Sequence, residues 1–130
     1  PMGELAECAG QICEALNKST DHVALVCDRD TVIAVSGAPK RDLAEKRISP
    51  ELESIMEMRK IFRMERGGVE MPIVDGEDKY KVAVAAPIIS EGDLLGCVLF
   101  AMQGGGQLPG EVEYKLAGTV AGFLGKQMEN

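Results

Sequence analysis

Apolar residues recur along this chain with two periods, and the switches between them divide it into elements. Over Gly3–Ser19, Leu5, Cys8, Ala9, Ile12 and Leu16 fall at helical spacing. Glu4, Glu7, Gln11, Glu14 and Lys18 take the other faces, which predicts an amphipathic helix. Asp21–Gly37 carries two short apolar runs, His22–Cys27 and Thr31–Ser36, around Asp28-Arg29-Asp30. Each run is of strand length and rich in β-branched residues, and the aspartates favour a turn, so a hairpin is predicted. The rest of the chain is expected to wrap around it. Ser49-Pro50-Glu51 is a helix start, with Leu52, Ile55 and Met56 as its inner face, and Ile61–Met64 reads as a short strand. Gly67–Lys79 is rich in turn residues and reads as a mobile loop. Tyr80–Ile89 and Leu94–Met102 form a second hairpin around Glu91-Gly92-Asp93. The continuous apolar run Val98-Leu99-Phe100 predicts a central strand covered on both faces. Pro109–Met128 is the last helix. Val112, Leu116, Val120, Phe123 and Leu124 make its main stripe, and Gly118 and Gly122, four residues apart, would admit a closely approaching helix.

Two hairpins between terminal helices predict an α+β fold. Its antiparallel sheet has the N- and C-terminal helices packed on one face and a helix/loop segment covering the other. A small ligand would be expected between sheet and cover.

Composition narrows the function. At 130 residues, 45 % hydrophobic and 27 % charged, the chain is expected to form one globular domain over residues 1–130. A net charge of −7 repels phosphate backbones, which excludes unaided nucleic-acid binding. Eight of the fourteen Lys and Arg nevertheless fall between Lys40 and Arg66, where Arg59 and Arg63 could present two guanidiniums to an anion. Four cysteines without a CxxC pair, and one histidine, give no metal-ligand set; buried thiols in a reducing compartment are expected. No apolar run approaches a membrane span. Gly104-Gly105-Gly106 lacks the lysine and spacing of a phosphate loop and reads as a linker. His22 has no evident partner, and apolar neighbours argue against a reactive Cys97. Neither a catalytic residue nor a cofactor is expected.

Three strings carry a resemblance: HVALVCDRDTVIAVSG, APIISEGDLLGCVLF and GEVEYKLAGTVAGFLGKQMEN. Together they resemble the C-terminal GAF domain of the stage V sporulation protein T family, AbrB-like transcription regulators of endospore-forming bacteria. The likeness runs from the opening PMGELAECAG to the last residue and is weakest over Arg59–Lys79. It implies that a swapped-hairpin DNA-binding domain precedes this segment in the family, consistent with an acidic chain that opens at Pro1. It also implies a cytoplasmic, non-catalytic regulator of sporulation genes that senses a small molecule, oligomerises, or both, and touches DNA only through the absent domain. GAF domains often dimerise through their terminal helices.

From the residue pattern, Ser36, Arg59, Arg63 and Tyr80 are expected to border a ligand pocket. Leu5, Ile12, Leu116, Val120, Phe123 and Leu124 are expected at a homodimer interface. Two alternatives stand beside this reading. One is a dimerisation scaffold without a ligand. The other is a thiol oxidoreductase, such as a free methionine sulfoxide reductase, working through Cys97.

Overall fold

The computed structural model describes residues 2–129, and for residues 2–4 the backbone only; Pro1, Asn130 and the expected position of the Glu4 side chain lie outside the described residues. The elements run α1 (Met2–Thr20), β1 (Val23–Asp28), β2 (Val32–Ser36), α2 (Lys40–Leu43), α3 (Pro50–Glu57), β3 (Phe62–Arg63), β4 (Tyr80–Ser90), β5 (Asp93–Gln103) and α4 (Glu111–Gln127). The strands form one five-stranded antiparallel sheet in the order β2-β1-β5-β4-β3.

Turn chemistry sets both hairpins. The Asp28 carboxylate accepts from the backbone N–H groups of Asp30 and Thr31, each at 2.7 Å, closing the first. Glu91 and Gly92 both take positive φ, 51° and 87°, as a two-residue primed turn requires, closing the second.

Alternation along β5 then fixes two cores. Val98 and Phe100 join α1 and α4 on one face, through Leu5, Ala9, Cys13 and Leu16 and through Ala117, Ala121, Leu124 and Met128. Cys97 and Leu99 join Leu43, Ile48, Leu52, Ile55 and Ile73 on the other. The terminal helices thus share a face, as the pattern predicts. Each large apolar side chain so covered contributes about 1.5–3 kcal/mol relative to exposure, and β5 collects that contribution on both sides.

Three expectations need correction. The middle strand of the sheet is β5, paired with β1 on one side and β4 on the other, so the first hairpin lies to one side with β2 at the edge; the eleven-residue strands of the second hairpin outweigh strands of six and five. Gly67–Lys79 does not hang free, because Ile73 and Val74 are buried and Val74 bridges to Ile48. The space between sheet and cover is filled by the apolar side chains of the second core.

Ser49 fastens that cover. Its hydroxyl accepts from Leu52 N at 3.0 Å, capping α3, and donates to Pro72 O at 2.7 Å. With Ser49 only 1 % exposed, Ser49→Ala removes a cap and leaves buried groups unpaired. The expected loss is about 2 kcal/mol of unfolding free energy, read as a lower urea midpoint at unchanged m.

Candidate functional site

α4 lies on the sheet by its inner face. Gly118 and Gly125 allow this: a Cβ at Gly118 would stand 2.7 Å from Ile61 Cδ1, and one at Gly125 would stand 2.2 Å from Ile89 O. Gly122 has open space around it. The two glycines paired by the sequence pattern therefore split, Gly118 serving intrachain packing and Gly122 facing outward. Two contacts fix the start of the helix. Arg63 Nη1 donates to Glu111 Oε1 at 2.7 Å, and its guanidinium lies 5.6 Å from the Tyr114 ring centre. That hydrogen bond holds the exposed Glu111 carboxyl below its ordinary pKa. His22 Nε2 stands 3.7 Å from Glu113 Oε2, with the imidazole tilted against the Phe100 ring, so His22 does have partners.

The outer face of α4 carries Val112, Leu116, Val120 and Phe123 in line. Val112 is 58 % and Phe123 60 % exposed, while Leu116 and Val120 are half-buried. Ile12 and Cys8 of α1, also half-buried, pack on the same core. Leu5 and Leu124 are fully covered within the chain and leave nothing for a partner. The expected interface set thus divides into two core residues, three residues at the seam and one exposed aromatic. Val112, placed on the helix stripe but not among the interface candidates, belongs with Phe123; its spacing, eleven residues earlier, is the signal.

The four expected ligand residues do not converge. Ser36 lines an open cleft of about 600 Å³ between α1 and β2. Tyr80 lines a hollow of about 430 Å³ at the end of α1, with Thr20, His22, Gln103 and Gln107. Arg59 donates to Gly92 O at 2.7 Å, tying the end of α3 to the β4–β5 turn. Arg63 is engaged with Glu111 on β3, at the sheet edge opposite Ser36.

Cys27 and Cys97 face each other across β1 and β5, both fully buried. The Cys97 thiol beside it, followed by burial, pushes the Cys27 thiol well above its ordinary pKa. Burial pushes Cys13 up to about 12. A thiolate nucleophile is thereby disfavoured at both positions. At pH 8, Ellman's reagent is expected to titrate Cys8 alone in the native protein and all four thiols after denaturation. Rapid native reaction of two or more would contradict this. Among the described residues, no three His, Cys, Asp or Glu side chains converge to hold a metal. No helix among them is long and apolar enough to cross a membrane.

Comparison with known proteins places this geometry. The model of the family described as "Stage V sporulation protein T C-terminal, transcription factor" matches residues 4–129. Stage V sporulation protein T of Bacillus subtilis (strain 168) is 39 % identical over 130 residues, covering 99 % of this chain and 71 % of that protein. Two solved structures share the fold at low identity. The cofactor-binding GAF domain of the nutrient sensor CodY from Clostridium difficile superposes with a TM-score of 0.63 at 13 % identity, covering 92 % of this chain and 83 % of that one. The type II free methionine-R-sulfoxide reductase from Thermoplasma acidophilum does so with a TM-score of 0.70 at 8 % identity, covering 97 % and 94 %. The fold is that of a GAF domain.

Proposed function

Because the chain belongs to the stage V sporulation protein T C-terminal family of transcription factors, we propose that it is a non-catalytic regulatory domain that joins two copies through α4. In this scheme the pairing sets the spacing of DNA-binding domains carried elsewhere in the full-length cytoplasmic protein. An acidic surface of net charge −7 suits a segment that leaves DNA to another part of the molecule.

One observation carries the pairing: two large apolar side chains, Val112 and Phe123, stand more than half exposed on one face of one helix. Scattered apolar exposure is ordinary, but an aligned pair continuous with half-buried Leu116 and Val120 is a patch of the kind that marks contact sites. Isologous pairing would bury it against its own copy. Sedimentation velocity of the chain at tens of micromolar tests this, with a mass of twice 13.9 kDa expected. A monomer at every concentration would overturn it.

A second reading adds an effector at the hollow beside Tyr80. Thr20, His22, Gln103 and Gln107 gather polar groups there, and His22 also contacts Glu113 of α4. A ligand binding one dimer geometry better than another would bias the assembly from that position. A thermal-shift screen with amino acids and nucleotides tests it. Ligand at 100 times its dissociation constant adds about 2.7 kcal/mol of stability, and silence leaves the scaffold alone. The fold shared with a methionine-R-sulfoxide reductase raises thiol chemistry as an alternative, against which the burial of Cys27 and Cys97 weighs.

A further inference from the structure

β2 is an edge strand, and its edge is only half covered. The N–H of Val32 donates to Lys46 O at 3.0 Å and its carbonyl accepts from Glu45 N at 2.8 Å, closing the first rung. Past Val32, among the described residues, no strand or loop backbone pairs with the outer side of β2. The register places Val26 opposite Ala34 and Leu25 opposite Val35, with a bulge between these pairs and the Cys27–Val32 pair. Antiparallel alternation therefore turns the N–H and C=O of Val35 outward. The 600 Å³ cleft lies alongside this open rung. Its far wall is the exposed side of α1, where Ala6 and Gly10 stand one turn apart and nothing lies within 4 Å of where a Cβ of Gly10 would be. A strand edge, a helix facing it and room between them is the arrangement in which proteins add an extended peptide to a sheet.

Charge selects the occupant. Glu7 and Glu14 of α1 and Glu45 beyond β2 line the cleft, against the single base Lys40. A second copy pairing edge to edge would bring these carboxylates against their own counterparts, which disfavours self-association here. We infer that this cleft docks an extended peptide segment of another protein, adding to β2 at Val35 and carrying Arg or Lys side chains that reach Glu7 and Glu14. The open stretch of β2 accepts about four to five residues, at about 3.3 Å each. The site uses the side of α1 away from α4 and does not depend on pairing through α4.

The test titrates the ¹⁵N-labelled chain with the octapeptide acetyl-RTRTRTRT-amide and follows backbone amide shifts. Saturable shifts are expected at Ile33–Ala38 and along Ala6–Glu14, with none from the glutamate counterpart ETETETET. The double variant Glu7→Lys/Glu14→Lys is expected to weaken binding by about tenfold while its free spectrum keeps the fold. No saturable shifts at millimolar peptide, shifts centred elsewhere, equal binding of the glutamate peptide, or unchanged affinity in the double variant would each overturn the inference. So would concentration-dependent shifts of Ile33–Ala38 in the free chain, which would assign the edge to a second copy.

Discussion

Gly96→Ala is expected to cost about 3 kcal/mol or more of unfolding free energy, a large share of the 5–15 kcal/mol typical of a domain. A Cβ at this position would stand 2.0 Å from Cys27 O and 2.9 Å from Asp28 Cα. Both are backbone atoms of the paired strand, so no side-chain rotation relieves the clash. The β1–β5 ladder must open at its turn end, and β1 carries the first hairpin with it. Gly10→Ala is the matching control. Nothing lies within 4 Å of the added methyl, and a helix interior gains up to about 1 kcal/mol on this exchange. Urea unfolding of the two variants should therefore move the midpoint in opposite directions. Equal small shifts would mean that β1 and β5 do not approach as closely as described.

Phe123→Glu is expected to separate association from stability. The ring is 60 % exposed in the single chain, so unfolding free energy measured on dissociated protein should change by no more than about 0.5 kcal/mol. If two copies pair through α4 as proposed, the ring lies within the contact, and a carboxylate buried in its place should weaken pairing by about 30-fold or more. Met58→Glu serves as the control: Met58 is 68 % exposed and caps α3, which packs on the face of the sheet opposite α4. It should leave the dissociation constant unchanged. If both variants weaken association equally, the effect belongs to net charge and not to the α4 face.

The elements were legible where periodicity ran long. α1 and α4, with their apolar stripes, and β4 and β5, with their long apolar runs, span eleven residues or more each, and the predicted bounds lie within two residues of those observed. α2 spans four residues, too short for any period, and its buried Leu43 could not be told from a loop residue. Gly67–Lys79 misled because its Gly, Pro and Asp content reports turns, whereas the contacts that hold it, Ser49 to Pro72 and Ile48 to Val74, come from about twenty residues or more away in sequence.

The site was legible only in part. A helical stripe identifies which residues are apolar, but not which edge of the stripe the sheet leaves uncovered. Leu124 and Phe123 are neighbours in sequence with opposite fates, and the crossing of α4 over the sheet decides between them. Basic residues such as Arg59 and Arg63 suggest an anion site by spacing. Their partners, Gly92 O and Glu111, are 33 and 48 residues away and invisible to local pattern. The open rung at Val35 depends on a bulge that one strand's sequence does not announce.

The central claim, that two copies meet through the outer face of α4, is tested most directly by cross-linking at Thr119. This exposed residue lies near the midpoint of the Val112–Phe123 stripe. Thr119→Cys in a Cys8→Ser background, treated with a short bismaleimide, is expected to yield a covalent dimer in high proportion. Adding Phe123→Glu should abolish that product. A Thr119→Cys protein that reacts fully with a monofunctional maleimide, yet gives no covalent dimer at concentrations where the chain sediments as a pair, would contradict the claim and send the contact to another face.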